Sequence, residues 1–227
     1  MKNHEGSHMK HLYILGASAS LLLGTSVVAK ETSTDLLVTG SIAPGGACVV
    51  AIGGTVNLGT VKPDREHPEK PTALDEQSVP VVVGCPQPRR FAFVVREAGG
   101  QNSSSETAFA MRADVGDKSP GNLFLLFDTQ STKIDGVQGY ATGADRMNGL
   151  EEATWGPATP FREDLPITNG RYAVGFVKEA DSVDAPENIK SLSVKLIVRP
   201  VIKPANDLDL TTNIAFSSDL GLEISYF

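Results

Sequence analysis

Apolar and polar residues alternate in short runs along most of the chain, and each run is bounded by Gly, Pro, Asn or Asp. The first is "LLVTGSI" (36–42), followed by "ACVVAI" (47–52) and "TVNLGTV" (55–61). "SVPVVVGC" (78–85), "RFAFVVRE" (90–97), "TAFAMRAD" (107–114) and "NLFLLFDT" (122–129) come next. "RYAVGFVKE" (171–179), "SLSVKLIVRP" (191–200), "NIAFSS" (213–218) and "GLEISYF" (221–227) complete the series. A period of two places every second side chain on one face, which predicts half-buried strands, and the wealth of Val, Ile, Leu and Phe agrees. No helical period lasts more than three turns, and the one helix expected is a short piece over 143–153, "GADRMNGLEEA". Many short strands without helices between them predict an all-β sandwich, forming a single domain over residues 30–227.

Two stretches interrupt the alternation. Residues 62–77 are charged and carry Pro63, Pro68 and Pro71; residues 136–166 are long for a connection and carry Tyr140, Trp155 and Phe161. Both are expected to be loops, and loops of such length are often functional. The aromatics of the second fit a contact surface, or a loop folded back on the sandwich with its rings as anchors, which is the commoner use of such rings.

Residues 1–29 have a different character. Lys10 and His11 precede an apolar run that ends Val27-Val28-Ala29, the pattern of a cleaved secretory signal. Met9 is an alternative start, and the "GSHM" ahead of it resembles a cloning remnant. The run is short for a membrane span and is broken by Gly, Ser and Thr. Export gives a meaning to the only two cysteines, Cys48 and Cys85, because an oxidising compartment favours a bond between them. The alternative is two buried free thiols.

Composition removes several kinds of chemistry. The formal net charge is −7 and Lys and Arg are dispersed, which argues against a nucleic-acid surface. His4, His8 and His11 precede residue 30, leaving His67 in a charged loop: too few for a His-based metal site, and with no nucleophile motif nearby for a catalytic triad. "GACVVAIGGTVNLG" lacks the Lys and the helix of a phosphate-binding loop. Acid pairs such as Glu151-Glu152 and Glu163-Asp164 are the one remnant of a glycosidase-like reading, and adjacent loop acids are usually just solvated. No cofactor, no metal and no catalytic residue is expected, and the chain reads as a non-enzyme.

The order of the motifs carries more than any one of them. Gly40-Ser41-Ile42 precedes the first cysteine, Val56-Asn57-Leu58-Gly59 follows it, and Cys85 ends an apolar strand. "GLEISYF" closes the sequence with Tyr226 penultimate. Over roughly 36–97 and 190–227 this order resembles the pilus subunits of the chaperone–usher pathway, and it is similar to a fimbrial-like family of envelope proteins catalogued as a domain of unknown function. The middle, about 100–185, matches no part of that pattern. The resemblance implies an immunoglobulin-like, pilin-type sandwich lacking its final strand. It implies that a donor strand from a periplasmic chaperone or a neighbouring pilus subunit completes the fold, with an outer-membrane usher as a further partner and adhesion at the cell surface as the role. By the same resemblance Leu222, Ile224, Tyr226 and Phe227 would form the chaperone or donor-strand interface, with Leu222, Ile224 and Tyr226 facing the core and the Phe227 carboxylate held by the chaperone's basic side chains. Leu36, Val38, Gly40 and Ile42 would be the N-terminal strand or donor. That extension is polar before Leu36 and short, which favours a terminal or minor subunit over a repeating one. The alternative is a stand-alone periplasmic binding or stress-related sandwich that does not polymerise.

Overall fold

The computed structural model describes residues 46–97, 107–114, 119–147, 149–158 and 167–227. The expected signal segment, the strand at 36–42 with Leu36, Val38, Gly40 and Ile42, and Phe161 lie outside the described residues.

In chain order the strands are β1 (Val49–Ile52), β2 (Thr72–Ala73), β3 (Gln77–Arg89), β4 (Phe91–Glu97), β5 (Phe109–Ala110), β6 (Arg112–Ala113) and β7 (Gly121–Ile134). They continue with β8 (Val137–Gln138), β9 (Tyr140–Asp145), β10 (Tyr172–Val177), β11 (Ile189–Ile202), β12 (Phe216–Ser217) and β13 (Leu220–Tyr226). The protein is all-β, with two antiparallel main sheets in a sandwich-like arrangement. The larger runs β1-β3-β11-β7-β5, with β2 beside β11 and β8 beside β7; the smaller runs β13-β4-β10-β9. A two-stranded ribbon of β12 and β6 stands apart from both.

The alternation read in the sequence is visible in β3, where Val79, Val81, Val83 and Cys85 are buried and the residues between them are exposed. Pro80, which has no N–H to donate, sits just where pairing with β1 stops, and its carbonyl accepts the Gly53 N–H. β4 behaves differently. All five residues Phe91 to Val95 are buried, since this strand has a covered face on both sides. Phe91, Phe93, Phe127 and Phe176 meet between the sheets, with Phe93 5.4 Å from Phe127 and 5.8 Å from Phe176, centroid to centroid. Edge-to-face and offset contacts of this kind add to what area burial alone supplies.

Between β7 and β8 lies a two-residue turn, Asp135-Gly136, with φ of 50° and 86°. Positive φ at both positions suits the twist of a tight hairpin. The Asp135 carboxylate accepts the amides of Lys190 and Ser191, so the turn is tied to the start of β11.

Three expectations change. The stretch 143–153 is not helical: residues 140–145 pair with β10 over the full length of β9, and no α-helix occurs among the described residues. The long connection therefore begins after Asp145 rather than at 136. Residues 55–61 make no strand, although Val56, Leu58 and Val61 still pack on the core. Gly59 takes a φ of 59° and its amide is held by the Asn57 side chain, a local turn that competes with a ladder.

Candidate functional site

Among the described residues, each main sheet has an edge strand with one neighbour: β1 bonds only to β3, and β13 bonds only to β4. The two edges come together where the Cys48 amide meets the Tyr226 hydroxyl. The opposite sides of the sheets are marked by β7 and β9, which approach one another. An unpaired edge is a row of free N–H and C=O groups.

β13 is fixed in register by seven consecutive pairings, from Leu220 opposite Glu97 to Tyr226 opposite Phe91. Residues directly opposite share a face. Leu222 therefore lies with Val95, Ile224 with Phe93 and Tyr226 with Phe91, all turned toward the core. Leu220, Leu222 and Ile224 pack against the main apolar cluster yet stay half-buried, with no further strand beside them among the described residues. Tyr226 is 45% exposed. On the wet face, Glu223 accepts from Arg96 Nε at 3.0 Å across the strand pair, with both side chains well exposed.

The other wall of this seam is built around Cys48. Cys48 and Cys85 form a disulfide, with S–S 2.04 Å and Cα atoms 4.1 Å apart. The Cys48 amide donates to the Tyr226 hydroxyl oxygen at 2.8 Å. This bond joins the start of the first sheet's edge to the end of the second sheet's edge. Further along, Val56 and Leu58 alternate with exposed Asn57 and Gly59, but among the described residues no ladder bond reaches them. The region thus holds two extended edges and an alternating segment, all short of main-chain partners among the described residues and all carrying partly exposed aliphatic side chains.

Phe227 turns to the opposite face of β13. Its ring stacks on Trp155 at 5.5 Å with planes 18° apart, and the Arg90 guanidinium lies over it at 5.9 Å. Trp155 is 4% exposed and covers the outer face of the second sheet together with Leu150. It can lie so close because residue 175 is Gly; a Cβ there would stand 3.0 Å from the indole and 2.1 Å from Pro186. The connection after β9 is therefore folded back, with Trp155 as its anchor. Tyr140 sits in β9, half-buried. Sequence reasoning placed Phe227 on the interface but not against Trp155; nothing in a period-two pattern joins residues this far apart.

Among the described residues, no group of three or more His, Cys, Asp or Glu is placed to hold a metal ion. His67 Nδ1 stands 3.2 Å from Asp64 Oδ2, on an exposed turn. The Asp64 carboxyl lies below its usual value, held there first by the His67 amide and then by that of Glu66. These are the bonds of a local turn, and they bring no nucleophile to the histidine.

No protein-family model, no curated protein and no solved structure matches this chain.

Proposed function

We propose that this domain is a strand-accepting structural subunit, an immunoglobulin-like sandwich short of one strand that another polypeptide completes. The observation that carries the reading is the edge of β13, which has no second neighbour among the described residues, and whose inward residues Leu220, Leu222 and Ile224 are half-buried. Backbone partners for this edge are missing among the described residues, and an extended peptide with apolar side chains at alternate positions would supply them. The motif order, with its resemblance to chaperone–usher subunits, supports a fimbrial setting. In that setting the protein passes through the periplasm with a chaperone, meets the usher and neighbouring subunits, and serves at the cell surface as a terminal or minor component rather than as an enzyme.

A strand that binds only the folded state raises apparent stability, by about 2.7 kcal/mol at a free concentration one hundred times its dissociation constant. The test is thermal unfolding of the full chain with a synthetic peptide carrying valine at three alternate positions separated by serine and threonine. A concentration-dependent rise in Tm is expected, with none for a peptide of the same composition in scrambled order. No rise with either peptide, and no gain in solubility with a periplasmic pilus chaperone, would return the protein to the stand-alone reading.

A further inference from the structure

We propose that Tyr226 is the end-stop of the strand-accepting seam and so fixes the length and register of the strand that enters it. The inference deepens the function proposed above and rests on it. Along β13 the inward positions are Leu220, Leu222, Ile224 and Tyr226, spaced by about 6.7 Å per two residues. Beside the first three, no strand lies among the described residues. The fourth closes the seam, because the Tyr226 ring spans from the second sheet to the first and its hydroxyl accepts the Cys48 N–H at 2.8 Å. The donor is held on a fixed post: Cys48 is bonded to Cys85, which is 5% exposed in the core.

An incoming strand that pairs with β13 therefore has three inward places to fill. It cannot continue past Ile224 between the edges without breaking the Tyr226–Cys48 bond and moving the ring. The partner is thus an extended segment of another polypeptide with three apolar side chains at alternate positions, and a fourth beyond them finds no seat. Tyr226 touches the partner's end and acts as a specificity-determining residue. Its exposure, 45% in a ring turned to the core side, is what a stop at the mouth of an unfilled seam would show.

Tyr226→Phe keeps the ring and removes the oxygen that receives the Cys48 amide. The experiment compares two synthetic peptides on the full chain, one with three alternate valines and one extended by two residues with a fourth. The parent should bind the longer peptide no better than the shorter. Tyr226→Phe should bind the shorter within about twofold of the parent and the longer about tenfold more tightly, the scale of one added apolar side chain. A general loss of stability would weaken both peptides alike, so the ratio between them reports the stop and not the fold. Amide exchange at Cys48 should also quicken in the variant. Equal preference for the longer peptide in parent and variant overturns the stop alone. Failure of the parent to bind either peptide overturns the strand-accepting reading, and the stop with it.

Discussion

Asp135 shows how one residue can set a turn and secure it to a distant strand. Partial burial pushes its carboxyl up, but the amides of Ser191 and Lys190 and the Lys178 ammonium at 3.4 Å outweigh that and hold it below the ordinary aspartate value. A carboxyl depressed in the folded state contributes stability above its unfolded pKa of about 3.9 and loses it as pH falls through the folded value. Asp135→Asn keeps an oxygen acceptor and a residue type that tolerates the φ of 50°, and loses the charge. Its expected cost is about 1 kcal/mol at pH 7, fading toward zero as acid protonates the parent. Asp135→Ala should cost about 1 kcal/mol more, because alanine resists a positive φ. Urea unfolding at pH 7 and pH 3 makes the comparison, and a gap unchanged between the two pH values would show that the charge is not its source. The Asp-Gly pair is among the strongest local hairpin signals a sequence can carry. At the start of the stretch read as a long loop, 136–166, it does not stand out, since β8 contributes only two residues beyond it.

Strands are legible where the chain supplies its own partner and obscure where it does not. β3, β4, β7, β10 and β11 each have a strand on both sides, and each falls on a run picked out by alternation. Residues 55–61 alternate as well as any of them, yet among the described residues no strand bonds to them and they take no ladder. The short helix expected at 143–153 fails for a related reason: propensity over a few residues is weak beside the six pairings that β10 offers β9. β13 is the case in which the face pattern survives with only one neighbour. Ile224→Ala removes a half-buried side chain seated with Phe93 and should cost about 1–2 kcal/mol, less than a full core truncation. Glu223→Gln breaks an exposed pair with Arg96 and should change stability by about 0.5 kcal/mol or less. Denaturant midpoints of the two variants beside the parent decide the register. If Glu223→Gln costs more than Ile224→Ala, the wet and dry faces of β13 are exchanged.

At the scale of the whole molecule, what matters is how the first strand is kept in place. β1 has a four-residue ladder to β3, the disulfide at its start and the Tyr226 bond, while Val49 is 71% and Ile52 48% exposed. So small an interface is marginal alone, because an edge strand's few hydrogen bonds net only about 0.5–1.5 kcal/mol each. The pairing of Cys48 with Cys85 followed from the two-cysteine count once export was granted, and it is present in the structure. That the same cysteine receives the β13 edge through its amide was not legible, because the contact spans 178 residues and depends on how the two sheets face one another. Joining residues 37 apart should stabilise the fold by about 3–4 kcal/mol in the chain-entropy account. Cys48→Ala with Cys85→Ala should therefore lower the unfolding free energy by that amount, and the urea midpoint by that amount divided by the slope of the transition. The slope of the transition carries the finer point, since it scales with the surface exposed on unfolding. If β1 leaves β3 in the native state of the variant, part of that surface is already exposed and the slope falls along with the midpoint. A lower midpoint with the parent's slope would mean that the ladder and the Tyr226 bond suffice to hold β1, and that the disulfide acts only on the unfolded chain.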